Sequence, residues 1–219
     1  MLFRSFAFVF HSQSCLAADA TLAGWKYSGA FTVLTTPDGA NLPAGAVVKE
    51  FPLLVRLHRD WFDFSQAKAD GADVRFTTGD GKLLAHQVDE WDAAGGVASV
   101  WVRVPLIKGN DRLALVMHWG KADAASASDG RAVFNESNGY LGVWHLGETV
   151  RDDAGALESK DGGTTGTAGV VGKARHFTEG TKISCGEKIT GYPTGNAPST
   201  TEIWGTTPDD CTLRQKMPP

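Results

Sequence analysis

The feature that most constrains this chain is an apolar pattern of period two. Ala98, Val100, Val102 and Val104 fall on one side of an extended segment, with Trp101 and Arg103 on the other. Leu113, Leu115, Met117 and Trp119 alternate in the same way with Ala114, Val116 and His118. A helix brings residues together every three or four positions, so these runs would scatter their apolar atoms around it, whereas a strand collects them on one face. Phe51 to Leu57 repeats the pattern through Leu53, Val55 and Leu57, and Trp25, Tyr27, Phe31 and Val33 suggest a first strand.

Turn chemistry separates these runs. Thr36 to Val47, with two prolines and two glycines, reads as a loop. Asp70-Gly71 and Asp80-Gly81 supply the positive φ that tight turns need. Val74 to Thr77 and Leu83 to Trp91 read as further strands, and Pro105 to Asp111 as a connection. Trp61-Phe62-Asp63-Phe64 forms an aromatic corner. The spacing predicts an all-β antiparallel sandwich, its strands running as a meander, with no helix-length amphipathic stretch. A composition with 26 Gly, 7 Trp and 11 Phe suits many turns between short aromatic-rich strands.

A net charge of -4 provides no broad basic surface, which makes nucleic acid a poor partner. No apolar run approaches the roughly 20 residues needed to cross a bilayer as a helix, so no membrane span is expected. The first 20 residues read as a short signal peptide. Arg4 supplies the charge, Ser5 to Phe10 the apolar core, and Ala18 and Ala20 a small-residue cleavage site before Thr21. The expectation is an exported protein, periplasmic, surface-attached or secreted. Cys15 leaves with the signal, and a disulfide could then join only Cys185 and Cys211.

After Phe134 the character changes. Tyr140 to Leu146 reads as a strand, Arg151 to Gly169 as a loop, and strands are expected near 173–177, 181–184 and 200–204. So few strands cannot close a separate two-sheet core, which suggests an incomplete second domain. The domain reading is a signal at 1–20, a sandwich at 21–134, an incomplete segment at 135–204 and an irregular tail at 205–219.

Several of these stretches resemble a known family. Phe51-Pro52-Leu53-Leu54-Val55-Arg56-Leu57, Phe62-Asp63-Phe64, Asp70-Gly71-Ala72-Asp73-Val74-Arg75-Phe76, Glu90-Trp91-Asp92 and Val100-Trp101-Val102-Arg103-Val104-Pro105 resemble the DUF2341 domain. Val143-Trp144-His145-Leu146 and Gly172-Lys173-Ala174-Arg175-His176-Phe177 resemble the opening of a concanavalin A-like, laminin G-type jelly roll. The resemblance implies a module of exported bacterial proteins, some related to ExbB/TolQ biopolymer transport, whose membrane helices lie downstream. It carries no catalytic residue.

The chain lacks Gly-x-Ser-x-Gly, Gly-x-Gly-x-x-Gly, Walker, HExxH and paired CxxC motifs. The best catalytic pair is Glu90 with Asp92, which strand alternation puts on one face roughly 7 Å apart, within the range of glycosidase carboxylates. Solvated carboxylates at a strand end explain them equally well. Trp91, at that strand end, and Trp101, opposite the Val100/Val102 face, are the candidate sugar-stacking platforms; with Glu90 and Asp92 they make the candidate ligand site. His145 and Glu148 have an i, i+3 spacing that could ligate a metal on a helix but not on the strand expected there, where a packed histidine fits better. Asp152 and Asp153 are candidate oxygen ligands for calcium. The function that follows is non-catalytic binding of a polysaccharide or envelope protein. The alternatives are part of an ExbB/TolQ-type assembly and a glycoside hydrolase using Glu90 and Asp92.

Overall fold

The structure is a computed structural model that describes residues 22–155, 157–169, 172–185 and 191–206. The expected signal at 1–20, Cys15, Cys211 and residues 207–219 lie outside the described residues. Seven strands form the first part: β1 (Tyr27–Leu34), β2 (Val47–His58), β3 (Arg75–Thr78), β4 (Leu83–Leu84), β5 (His86–Asp92), β6 (Val97–Lys108) and β7 (Arg112–Trp119). They make two antiparallel sheets, ordered β1-β7-β3-β4 and β2-β6-β5.

The alternating runs face each other between the sheets. Phe31, Val33, Phe76, Leu115 and Met117 come from one sheet, and Leu53, Val55, Leu57, Val100, Val102 and Val104 from the other, all almost fully buried in one cluster. Burying each such side chain contributes about 1.5–3 kcal/mol. The sandwich is therefore as the alternation required.

The strand order differs from the expected meander. β1 pairs with β7, from Tyr27 opposite Trp119 to Leu34 opposite Arg112, and β4 passes into β5 across Ala85, where the chain changes sheets. The Ala85 carbonyl accepts the Arg103 N–H of β6 at 2.9 Å, which fixes that corner. Alternation records which face is buried but carries no information about which strand lies alongside.

β6 also runs through the expected connection at Pro105. Its ladder with β2 skips the Glu50 and Pro105 positions, where proline has no N–H to donate and Glu50 takes φ 52°. Beyond this irregularity the faces exchange, so that Val48 and Ile107 turn to the core while Val47 and Leu106 are exposed.

The second part begins with Asp129, whose carboxylate caps α1 (Gly130–Val133) by accepting the Arg131 and Ala132 N–H groups. Tyr140 to Leu146 forms no strand, contrary to the alternation reading. Side-chain bonds set this stretch: Asp152 Oδ1 accepts the Val143 and Ala154 N–H at 2.8 and 3.0 Å, and its Oδ2 accepts the Leu157 N–H at 2.9 Å. Leu146 takes φ 56°.

Conversely, the stretch expected as a loop contains β8 (Lys160–Gly162) and β9 (Thr165–Ala168). β9 pairs with β10 (Lys173–His176) and β8 with β11 (Lys182–Ser184), giving one long antiparallel hairpin interrupted midway. The expected strands at 173–177 and 181–184 are therefore present. A separate unit follows, and its described residues, 191–206, contain no strand at 200–204; Ile203 and Trp204 there are 78 % and 79 % exposed. Among the described residues no helix is long and apolar enough to cross a membrane.

Candidate functional site

The expected ligand residues lie on β5 and β6, but they do not share one open face. A bulge between Val88 and Glu90 sets Glu90 opposite Ser99 and Trp91 opposite Ala98. Trp91 lies at the strand end, as expected, but faces inward: its ring packs edge-to-face with Phe62 and Phe64, with centroids 6.0 and 5.4 Å away. Gly71, at φ 67°, admits this ring where any Cβ would collide with it. The expected exposure of Trp91 is not found.

Trp101 lies on the outer face, as the alternation predicted, yet it is covered. His145 stacks on it with centroids 5.6 Å apart, and Phe134 meets it edge-on at 5.5 Å. Its indole N–H donates to Asp89 Oδ2 at 3.2 Å. His145 Nδ1 lies 3.6 Å from the same Asp89 oxygen, and its Nε2 lies 3.8 Å from Asp153 and 3.4 Å from Gln87 Oε1. The imidazole thus closes the outer face of β5 and β6 with polar atoms at both ends.

Glu90 and Asp92 sit at the edge of this covered region. Gly172, at φ 62°, rests on the Glu90 carboxylate closely enough that a Cβ would collide with it. Burial and the neighbouring Asp89 and Asp92 push the Glu90 carboxyl above its usual range, opposed by Lys173 and Arg56. Lys173 pairs with Glu148, whose carboxyl it holds below the ordinary value. The same outer face carries Arg103, bonded to Glu50 at 2.6 Å, to the Ala132 carbonyl at 3.0 Å and to Ser137 at 2.9 Å.

The calcium candidates have structural partners. Both Asp152 oxygens accept backbone N–H groups, and Asp153 Oδ1 accepts from Arg151 at 2.7 and 3.0 Å. Among the described residues no three His, Cys, Asp or Glu side chains gather as a metal site. His145 and Glu148 point to separate partners, Trp101 with its acidic neighbours and Lys173 respectively.

An open cleft of about 530 Å³ lies elsewhere, at one end of the sandwich. One wall is Arg59 to Ser65, after β2; the other is Ala93, Ala94 and Gly96, in the turn between β5 and β6. Here alternation continues outside a strand. Phe62 and Phe64 insert into the core and meet each other edge-on at 4.9 Å, with Phe62 also against Trp119 at 5.2 Å. Trp61, Asp63 and Ser65 are thereby turned outward, and Trp61 is 40 % exposed. Asp63 accepts the Ser65 N–H at 3.0 Å and hydroxyl at 2.7 Å, bonds that lower its carboxyl below the usual range. Arg59 joins the walls by donating to the Ala94 and Gly95 carbonyls. The aromatic corner was legible in sequence, but its role was not; the signal was Trp61, Asp63 and Ser65 alternating with two phenylalanines.

The fold and these surfaces define an all-β sandwich domain whose second sheet is covered by its own downstream segment and whose loop end is open. Residues 70–141 match the family described as Domain of unknown function (DUF2341). The match takes in β3 to β7, α1 and the Trp101–Phe134 contact; β1 and β2, which complete the two sheets, precede it. No curated protein and no solved structure matches the chain.

Proposed function

We propose that the chain is an exported, non-catalytic binding module, recognising a polysaccharide or another envelope component. The observation that carries this reading is the contrast between two surfaces. The expected carboxylate and tryptophan face is engaged with the chain's own residues, with His145 on Trp101 and Gly172 on Glu90, while the loop end keeps an open cleft between Arg59–Ser65 and Ala93–Gly96. The same coverage supports reading Glu90 and Asp92 as charges that seat Lys173 instead of a glycosidase pair. The test is binding of the full chain to a panel of polysaccharides, with and without calcium, alongside measurement of released reducing ends. Saturable binding without product supports the reading; turnover that disappears in Glu90→Gln would replace it with the hydrolase.

The second reading is a scaffold within an ExbB/TolQ-type envelope assembly, joined to the start of a concanavalin A-like domain. It is favoured by the interrupted β8–β11 hairpin, whose strands further strands could extend, and by Gly172 lying against Glu90.

A further inference from the structure

We infer that the open edge of β1 is a self-association surface, on which two copies of this chain join antiparallel through Ser28, Ala30 and Thr32. The inference stands apart from the binding-module reading and does not depend on it.

Backbone direction decides which residues serve. Thr35 donates its N–H to the Asp111 carbonyl at 3.0 Å, one step beyond the Leu34–Arg112 pair, so the odd-numbered residues of β1 aim their backbone groups at β7. The even-numbered ones aim theirs the other way. At one end of that edge the Leu34 carbonyl is already taken by the Ala40 N–H at 3.0 Å. β1 ends its sheet, and among the described residues no strand pairs with it on the side away from β7, where Ser28, Ala30 and Thr32 direct their N–H and C=O groups.

The other edges are guarded in ways that β1 is not. β2, an edge of the second sheet, carries Lys49, Glu50 and Arg56, and its Pro52 has no N–H to offer. β4 is two residues long. β5 is engaged, since the His86 carbonyl accepts the Asp129 N–H and the Val88 N–H goes to Ser128 Oγ, both at 2.9 Å. β1 has eight residues with no charge and no proline among them.

A second copy suits this edge. Antiparallel pairing about a two-fold axis through Ala30 sets Ala30 against its own counterpart and Ser28 against Thr32, so each small outward side chain meets another that is uncharged. Lys26, exposed just before β1, then comes beside the turn that follows β1 in the other copy. Asp38 is exposed in that turn, 4.0 Å from Arg112, a separation that leaves its charge open to a further partner. Opposite charges thus meet at both ends of the pairing. Joining consumes the open edge of each copy, and the guarded edges stop growth at two.

Sedimentation equilibrium of the full chain tests this. An edge-only contact falls at the low end of interface areas, so a discrete dimer forming over the micromolar range is the expected result. Ala30→Lys and Ala30→Glu each place like charges opposite one another on the axis. Each should weaken dimerisation by about tenfold or more, with the melting temperature unchanged because Ala30 is exposed. Mixing the two variants brings opposite charges face to face and should restore the dimer as a heterodimer. A monomer at every concentration, a dimer that neither variant weakens, or assembly that continues past two overturns the proposal. Loss in both variants without recovery in the mixture overturns the antiparallel pairing through Ala30.

Discussion

The sandwich at 27–119 and the segment at 129–184 both pair antiparallel strands, yet they are held by different forces. In the sandwich each strand turns one apolar face to the other sheet, and the hydrogen-bonded ladders follow from that burial. Among the described residues of the later segment only Val133, Phe134 and Ala154 are buried as a cluster, and β8 and β9 have no buried side chain. Its order comes from carboxylates: Asp152 accepts the Val143, Ala154 and Leu157 N–H groups, and Asp161 bonds Gly163, Thr164 and Arg175. Period-two hydrophobicity is therefore a signal of burial between sheets, not of strands as such.

The largest effect that could break this contrast is removal of a core ring. Phe76→Ala, at a fully buried position, should destabilise the protein by about 3–5 kcal/mol. Protection of the later segment should be lost in urea no later than that of the sandwich, because the later segment depends on the sheet it covers. Amide protection of β8–β11 surviving after β6 has lost its own would make that segment an independent unit.

Acid should act on the sandwich nearly as strongly. Burial, aided by Arg75, lowers the His86 pKa to about 4, and burial lowers that of His118 as well. Above about pH 6.5 His86 is neutral in both states and contributes no pH dependence. As pH falls from there toward 4, the unfolded chain takes up a proton that the folded one refuses, so stability declines by on the order of 3 kcal/mol at most. Urea midpoints at pH 7 and 4.5 measure the decline; His86→Gln should flatten it, and an unchanged slope would place the acid sensitivity elsewhere.

The smallest effect sharpens the contrast. Trp101→Ala removes the His145 stack and the Phe134 contact, each of which contributes about 0.5–1.5 kcal/mol. Amide exchange over 140–155 should accelerate while β3 and β7 stay protected. Equal acceleration in both would show one cooperative unit.

This division explains what was legible in the sequence. β1, β6 and β7 could be read because Phe31, Val100 and Leu115 repeat every second residue among buried neighbours. β8 and β9 could not, because nothing on them is buried. Trp91 was misplaced by the bulge at Asp89, a backbone event with no residue signature. The cover over Trp101 was hidden for another reason: His145 reaches it from a distant part of the chain through a segment that takes no regular structure. The Trp61 cleft needed the carbonyls of Ala94 and Gly95 to complete it, and backbone groups leave no mark in a sequence pattern.

The pairing of β1 with β7 has a bearing on how the chain folds as it is made. Tyr27 must wait for Trp119, almost the full length of the sandwich away, before its ladder can form. β1 is thus made well before its neighbour, and until β7 follows it offers Phe31 and Val33 to whatever else is nearby. Such non-local closure slows folding and lengthens the interval in which aggregation competes. Holding the chain open during that interval would serve it better than hastening its collapse.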